Sequence, residues 1–344
     1  MTNQTLGVRR RWSRRATTAL ETDGVSQRAK RLAVGEDAAM SDLPVLYFDH
    51  PFPDLYRDLT DARAQVVGPE HGLETADGAV IGAKRRWDGE ALAAASRLKV
   101  LSRVGVGYDN VDVASVRAAG VTVCNTPEAP TVSTAEQTIT LMLAIGRDLP
   151  KEQATARMGL PGVPVGTAME FDGRTLGLVG YGRIARRVAN VGRALGMRVI
   201  AHDPYVATGD AEGVELVGFD RLLADSDVIS LHAPGGSSTH HMIDAPTLAR
   251  VKPGVLLVNC ARGTLVDQDA LLAALADGRV GGAALDVTDP EPLPIGHPLL
   301  EHPRVIVTPH VASNTAAGRR RLYAMSIDNA LNVIGGLPAS VVLV

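Results

Sequence analysis

The chain has 344 residues, of which 45% are hydrophobic and 21% are charged, so it can bury a large core and is not disordered as a whole. A formal net charge of −3 argues against a nucleic acid or an anionic membrane as a partner. Two cysteines exclude a disulfide scaffold and favour a reducing compartment. No apolar run reaches the ~18 residues of a membrane span. We therefore expect a soluble, cytoplasmic protein of two domains.

Residues 1–40 differ in composition from the rest of the chain. Five arginines stand within the first fifteen positions, and the first acidic residue is Glu21. Since no apolar segment follows the arginines, a secretory signal is not expected. An organelle transit peptide is the less favoured alternative. We expect residues 1–40 to be a disordered extension.

From residue 41 onward, short apolar runs alternate with segments of helical periodicity, a rhythm that indicates parallel sheets with crossover helices. Four strands are expected in the first part, at 45–48, 79–81, 100–103 and 121–124. Six more are expected at 175–179, 198–202, 228–231, 255–259, 282–286 and 305–308. An apolar connecting helix is predicted over 132–146 and a last helix over 318–334.

A glycine-rich turn follows the expected strand at 175–179. It reads G-x-G-x-x-A from Gly180 through Gly182 to Ala185, and an apolar stripe marks the helix after it. The first glycine permits the tight turn, and the second lets backbone N–H groups approach a pyrophosphate. Asp203 follows the next strand, where a carboxylate accepts both ribose hydroxyls and repels a 2′-phosphate. The motif predicts a dinucleotide-binding domain that takes NAD rather than NADP.

Three chemically active side chains follow expected strands of the second series. Arg262 comes after 255–259, Glu291 lies in the segment after 282–286, and His310 follows 305–308. Singly, each has an ordinary explanation as a capping arginine, a solvated acid or a helix-start histidine. Together they supply a carboxylate clamp, a proton carrier and a carboxylate that orients it, as the reduction of a 2-keto acid beside a nicotinamide requires. No His, Cys or Asp cluster has the spacing of metal ligands, so no metal is expected.

The sequence resembles the D-isomer-specific 2-hydroxyacid dehydrogenase family. Besides the glycine turn, the motifs that carry the resemblance lie at 102–112, 125–127, 203–205, 231–234, 259–263, 284–287 and 308–310. They stand in family order and cover nearly all of residues 41–344. Two departures are Gly235-Gly236, where the family usually has Leu-Thr, and Ala185 in place of a third glycine.

The resemblance implies a role for each residue of the constellation. Arg262 is expected to bind the substrate carboxylate and keto oxygen, and His310 to be the general acid and base. Glu291 is expected to hydrogen-bond His310 and favour its protonated form. Backbone amides around Val106 and Gly107 are expected to cradle the carboxylate.

The resemblance also implies cofactor contacts. Arg183 and Ile184 are expected on the pyrophosphate, and Asp286 on the nicotinamide amide. The other expected cofactor-binding residues are Ala233, Cys260, Ala261, Arg262 and His310. Cys260 is also a candidate nucleophile, but a small packing residue whose backbone lines the cofactor is the favoured interpretation.

The expected fold is α/β, with a doubly wound parallel Rossmann-type NAD domain over 141–317. A second, discontinuous flavodoxin-like α/β substrate domain is expected from 41–140 and 318–344. The active site would lie in the cleft between the domains, and a homodimer is expected through the connecting helix.

Several functions remain open at the level of the sequence. The main hypothesis is an NAD-dependent D-2-hydroxyacid dehydrogenase that acts on a small 2-keto or 2-hydroxy acid. A 3-phosphoglycerate dehydrogenase or a glyoxylate/hydroxypyruvate reductase is the alternative within the family. Since the sequence stops at Val344, we expect no regulatory domain of the kind that many phosphoglycerate enzymes carry. A non-catalytic NAD-sensing protein is disfavoured because the constellation of Arg262, Glu291 and His310 is complete.

Overall fold

Two parallel β-sheets organise the chain. The computed structural model describes residues 42–162, 168–206, 211 and 213–343. The predicted extension at 1–40 lies outside the described residues. Both sheets belong to one compact unit that begins at Pro44.

The first sheet has five strands in the order β2-β1-β3-β4-β5, all parallel. The strands are β1 (Val45–Phe48), β2 (Gln65–Val67), β3 (Gly78–Ile81), β4 (Val100–Arg103) and β5 (Thr122–Cys124). Two short helices, α1 (Gly89–Ala93) and α2 (Val113–Ala118), and two 3-10 turns, Asp54–Leu59 and Leu73–Thr75, connect them. The central strands β3 and β4 are buried on both faces, except that Arg103 at the end of β4 is half-buried, which fits a sheet covered on both sides.

Two consecutive helices lead from the first sheet to the second. The first, α3 (Thr131–Gly146), packs against the second sheet, and α4 (Leu149–Arg157) follows it with no buried residue. The predicted helix at 132–146 is therefore present and begins one residue earlier. Its buried side chains include Leu141, Met142 and Ile145, which join the core of the second sheet.

The second sheet has seven parallel strands in the order β12-β11-β10-β9-β6-β7-β8. The strands are β6 (Thr175–Val179), β7 (Arg198–His202), β8 (Glu215–Leu216), β9 (Val228–Leu231), β10 (Val255–Asn259), β11 (Val280–Leu285) and β12 (Val305–Val307). The helices are α5 (Arg183–Ala194), α6 (Phe219–Asp225), α7 (Ala245–Leu248), α8 (Gln268–Ala276) and α9 (Pro298–Glu301), with a 3-10 turn at Gly263–Leu265. The strand order reverses between β6 and β9, which is the position where doubly wound sheets bind ligands.

The last helix, α10 (Ala316–Ile334), returns to the first sheet and packs against β3 and β4. Thr315 caps it, since its Oγ1 accepts a hydrogen bond from Gly318 N at 2.9 Å. Its own side chains Tyr323 and Ile327 are fully buried. The helix therefore completes the apolar cover of a sheet that lies some two hundred residues earlier in the chain.

The α/β fold class with two parallel sheets is confirmed. All ten expected strands are present, with bounds that differ by at most two residues. The expectation of six strands in the second sheet is wrong, because β8 adds a seventh, and β2 in the first sheet was not predicted either. Both are short edge strands with exposed or half-buried residues, so they lack the apolar run that marks the others. No helix within the described residues has the length and apolarity to cross a membrane.

Candidate active site

A cleft of about 580 Å³ lies where the carboxyl ends of the two sheets face each other. This volume is within the roughly 300–1,000 Å³ that is usual for small-molecule sites. One wall is the loop after β4, from Arg103 to Asp109. The opposite wall comes from segments that follow β9, β10 and β12, among them Ala233, Arg262 and His310. Both sheets contribute to one site.

The turn after β10 presents Arg262. Asn259, which is fully buried, supports the turn because its Oδ1 accepts from Ala261 N at 2.9 Å and its Nδ2 donates to Arg262 O at 2.8 Å. A side chain at Gly263 would lie 2.0 Å from the backbone oxygen of Thr288, so only glycine permits this close approach. The backbone of Arg262 is therefore rigidly held.

The guanidinium of Arg262 reaches across the cleft to the loop after β4. Its Nη1 donates to Ala261 O at 2.7 Å, and its Nε lies 3.4 Å from Asp109 Oδ2. A Cβ at Gly107 would lie 1.8 Å from Arg262 Nη2. The absence of a side chain at Gly107 thus creates the space that the guanidinium occupies.

The loop after β4 is held by the residues that follow β5. Asn125 Nδ2 donates to Val106 O at 2.7 Å, and Thr126 Oγ1 accepts from Gly105 N at 2.9 Å. Gly105 has a φ of 143°, a conformation that favours glycine. These bonds fix the backbone of Val106 and Gly107 at the wall of the cleft.

His310 is paired with Glu291. The distance from His310 Nδ1 to Glu291 Oε1 is 2.6 Å, and both side chains are partly exposed. The other ring nitrogen, Nε2, is free to face the cleft, which His310 lines. The Glu291 carboxylate can accept a hydrogen bond from Nδ1–H and so orient the ring. A proton exchanged between His310 and a molecule in the cleft would then pass through Nε2.

Asp286, at the end of β11, lies behind His310 and is fully buried. Its carboxylate accepts hydrogen bonds from Thr308 Oγ1 at 2.5 Å, Val311 N at 3.0 Å and Ala312 N at 2.8 Å. The contact with a nicotinamide amide that the resemblance implies stays a prediction. The hydrogen bonds that the structure gives the Asp286 carboxylate are all to the segment that carries His310.

The glycine turn lies at the end of β6, against β9. Gly180 has a φ of 89°, and a Cβ there would lie 2.8 Å from the backbone carbon of His232, so a side chain is excluded. A Cβ at Gly182 meets no atom within 4 Å. Gly182 precedes α5, whose first N–H groups have no side-chain cap. The open space beside Gly182 is therefore a cradle at a helix N-terminus, as a pyrophosphate requires.

Asp203 follows β7 beside this turn. Its Oδ2 accepts from Tyr181 N at 2.8 Å and its Oδ1 from Tyr205 N at 2.9 Å. Both carboxylate oxygens are thus oriented by backbone amides, while the residue stays partly exposed. Arg183, at the start of α5, is more than half exposed and lies 3.8 Å from Glu128 Oε1.

Two half-buried side chains that line the cleft, Cys260 and His232, do not titrate near neutral pH. Burial raises the pKa of the Cys260 thiol to about 12, which disfavours the nucleophile hypothesis because little thiolate forms at neutral pH. Burial lowers the pKa of His232 to about 4, so this imidazole is uncharged at neutral pH. Neither group therefore changes its charge near neutral pH.

Arg103 is a cleft residue to which the sequence assigned no role. Burial, together with the positive charge of Arg262, lowers the pKa of its guanidinium. Nη1 donates to Val104 O, whereas Nε is buried and has no hydrogen-bond partner among the described residues. Arg103 stood within the 102–112 motif, but nothing in the motif indicated that it shares a cleft with Arg262. Two cationic side chains therefore line the same cleft.

The predicted site residues fall into two groups. Those that line the cleft are Val106, Gly107, Ile184, Ala233, Cys260, Ala261, Arg262 and His310. The others, Gly180, Gly182, Arg183, Asp203, Asp286 and Glu291, lie around it in the contacts given above. Within the described residues, no group of three or more His, Cys, Asp or Glu side chains is placed to hold a metal ion.

The chain is similar to proteins of known family. Residues 139–312 match the family model described as D-isomer specific 2-hydroxyacid dehydrogenase, NAD binding domain. A D-3-phosphoglycerate dehydrogenase of Mycobacterium leprae is 40% identical over 90% of this chain and 59% of its own length. The chain spans between half and three fifths of the curated relatives it matches.

Solved structures show the same architecture. A crystal structure of a protein from Thermus thermophilus has a TM-score of 0.79 and 35% identity, and the match covers 87% of this chain and 100% of that one. A D-lactate dehydrogenase from Aquifex aeolicus, in complex with NAD and lactic acid, has a TM-score of 0.76 and 30% identity, covering 85% and 96% of the two chains.

Gly107→Ala tests whether the position of Arg262 depends on the glycine. The added methyl would overlap Arg262 Nη2, and the flexible guanidinium is the group that must move. We expect normal folding but at least roughly tenfold weaker binding of the small carboxylate oxamate, measured by calorimetry with NADH present, because a paired charge-assisted contact is lost. Gly89→Ala is the matched control, since a Cβ there makes only an ordinary contact at 3.9 Å. Unchanged oxamate affinity in Gly107→Ala would show that Arg262 does not bind the carboxylate.

Proposed function

Because this chain belongs to the D-isomer specific 2-hydroxyacid dehydrogenase family, we propose that it is an NAD-dependent oxidoreductase that interconverts a small 2-keto acid and the corresponding 2-hydroxy acid. The observation that carries the proposal is the arrangement of His310, paired with Glu291, and Arg262 on one cleft. A proton donor and a carboxylate-binding group must act on the same small molecule in this reaction.

The residues around the glycine turn fit NAD. The cradle beside Gly182 and the first N–H groups of α5 would hold the pyrophosphate, and Asp203 the ribose hydroxyls. The part of the cleft that would receive the nicotinamide ring is lined by Ile184, Ala233, Cys260 and Ala261. When bound, NADH supplies the hydride that reduces the keto carbon.

His310 supplies the proton. As negative charge develops on the keto oxygen, the imidazolium donates its Nε2 proton to that oxygen, and in the reverse direction neutral Nε2 accepts it. Glu291 accepts the hydrogen bond of Nδ1–H and keeps the ring oriented.

Arg262 binds and orients the substrate. Its planar guanidinium presents paired donors to a carboxylate, which a lysine ammonium does not. The backbone amides of Val106 and Gly107 would hold the same carboxylate from the opposite wall. Substrate would thus be held between the two sheets.

We also propose how the chain is divided and assembled. Residues 41–140 and 318–344 would form the substrate domain and 141–317 the NAD domain, an assignment supported by the packing of α10 on β3 and β4. A homodimer would form through the connecting helix α3 together with α4, which follows it. Two large apolar side chains, Leu149 at the start of α4 and Met158 just after its end, are exposed there. Two free cysteines favour the cytoplasm.

A second candidate is a 3-phosphoglycerate dehydrogenase. The Mycobacterium leprae relative carries that name, and one observation favours it in this chain. Arg103 shares the cleft with Arg262, and its buried Nε has no partner among the described residues. A simple keto acid has one carboxylate, which Arg262 would bind, and so leaves the positive charge of Arg103 unpaired. A substrate with a second anionic group, such as a phosphate, would offset that charge.

His310→Ala tests the main proposal. In wild-type protein we expect NADH oxidation with at least one member of a panel of small 2-keto acids. The variant should lower kcat by roughly 10²–10⁴-fold because general-acid assistance is lost. NADH affinity, measured by fluorescence titration, should remain. His71→Ala, at an exposed position away from the cleft, is the control. Wild-type turnover in His310→Ala would remove the histidine from the mechanism.

Arg103→Lys tests the second candidate with two substrates that differ only in a phosphate, 3-phosphohydroxypyruvate and hydroxypyruvate. If Arg103 binds the phosphate, kcat/KM should fall by roughly tenfold or more for the phosphorylated substrate alone, because the guanidinium fork is lost. An equal fall for both substrates would contradict phosphate binding. A wild-type preference for hydroxypyruvate would favour a glyoxylate/hydroxypyruvate reductase instead.

Asp203→Ser tests the choice of cofactor. In wild-type protein the carboxylate should oppose the 2′-phosphate of NADPH, and like-charge contact of this kind supports roughly a hundredfold preference for NADH. Pro204 and Tyr205 follow, so no adjacent arginine neutralises the phosphate. The serine variant should lose most of the preference, through weaker use of NADH and better use of NADPH. The measurement is kcat/KM with both cofactors, and equal use of them by wild-type protein would show that Asp203 does not face the ribose.

A further inference from the structure

Asp286 is a buried carboxylate without a cationic partner. Its relative exposure is 0%, and no ion pair involves it among the described residues. A buried charge is costly unless hydrogen bonds replace its water. All the donors that do so come from a single segment, residues 308–312.

Four hydrogen bonds join Asp286 to this segment. Three reach the carboxylate from Thr308 Oγ1, Val311 N and Ala312 N, at 2.5–3.0 Å. The fourth runs from His310 N to Asp286 O at 2.8 Å. The side chain of Asp286 therefore hydrogen-bonds to residues on both sides of His310, and its backbone oxygen to His310 itself.

His310 itself has a left-handed backbone. Its φ is 52°, a strained conformation for a non-glycine residue, which persists only where the surrounding structure imposes it. A left-handed residue turns successive N–H groups towards one point and so forms a concave anion site. Here the N–H groups of Val311 and Ala312 form that site, and the Asp286 carboxylate fills it.

The site requires an acceptor that carries no hydrogens. An ionised carboxylate offers only acceptors, so it can satisfy the hydroxyl and both amides at once. An asparagine of the same shape would turn its NH₂ group towards one of the N–H donors. The contacts thus depend on the charge state and not only on the volume of the side chain.

We propose that Asp286 is the positioning residue that locks His310 in its left-handed conformation, with Nδ1 held at Glu291 and Nε2 directed at the cleft. This inference rests on the proposed function, in which His310 is the proton donor. This role is separate from the contact with the nicotinamide amide that the resemblance implies, because it acts through the backbone amides of Val311 and Ala312.

The kinetic test compares Asp286→Asn in two backgrounds. With His310 present, the variant should lower kcat by roughly 10²-fold, the usual result of misplacing a catalytic group by about 1 Å, and leave NADH affinity within about twofold. In the His310→Ala background, Asp286→Asn should have no further effect on kcat, since there is no imidazole left to position. A loss of equal size in both backgrounds would overturn the proposal.

A cofactor analogue separates the two roles of Asp286. Reduced 3-acetylpyridine adenine dinucleotide has a methyl ketone in place of the amide and cannot donate a hydrogen bond to Asp286. If Asp286 positions His310, Asp286→Asn lowers kcat by the same factor with NADH and with the analogue. If the effect disappears with the analogue, the carboxylate contacts the amide and the positioning role is wrong.

Hydrogen exchange tests the inference without any substrate. The amides of Val311 and Ala312 should exchange faster in Asp286→Asn than in wild-type protein, as measured by mass spectrometry of a peptide that spans residues 308–312. Asp227→Asn is the matched control, since Asp227 is also buried and accepts from Thr175 N but lies at the amino end of the same sheet. It should leave this peptide unchanged.

Two further outcomes bear on the role of Asp286. If wild-type protein reduces no 2-keto acid, the proposed function fails. Hydrogen exchange of the Val311 and Ala312 amides then decides by itself whether Asp286 holds the segment at 308–312. If Asp286→Asn does not fold, Thr308→Val removes one of the three donors to the carboxylate. It should give a smaller fall in kcat and a local rise in exchange. Unchanged exchange in a folded variant would overturn the inference.

Discussion

The hydrogen bond between Glu291 and His310 is the interaction on which the proposed chemistry of the cleft depends, because it decides which ring nitrogen is left for a substrate. At 2.6 Å it occupies Nδ1, so the proposed reaction uses Nε2. The two residues lie on different loops, so the bond forms only when the segments after β11 and β12 are both in place. The buried side chain of Asp286 anchors the second of these segments through three hydrogen bonds. The proposed proton transfer is thus linked to the packing of the sheet edge.

Charge explains why the cleft suits an anion. Arg103 and Arg262 approach it from different sheets, and their repulsion contributes to the lowered pKa of Arg103. Asp109, exposed at the rim, offsets part of this charge through its contact with Arg262. Glycine at position 107 lets the guanidinium cross between the sheets. An anionic substrate that bridges the two walls would relieve this repulsion.

Much of the fold could be predicted because most strands of the second sheet are apolar runs that end in turn residues. The exceptions are informative. The strand at Glu215–Leu216 is two residues long and polar at its start, so neither length nor periodicity marks it. The candidate site was recognisable where a local motif fixes the geometry, as at Gly180 and Gly182. Contacts that depend on tertiary packing could not be recognised from the sequence. Arg103 is an example, because it comes close to Arg262 only when the two sheets meet. The same holds for the contacts of Asp286 with residues some twenty-five positions later.

The central claim is direct hydride transfer to a 2-keto acid with a proton from His310. The most direct test follows the deuterium from NADH labelled at C4 of the nicotinamide on the transferred face. Mass spectrometry and chiral chromatography of the product should find one deuterium at C2 of a single 2-hydroxy acid enantiomer, the D form that the family description implies. Absence of turnover across the panel of 2-keto acids, or a product without deuterium at C2, would contradict the claim.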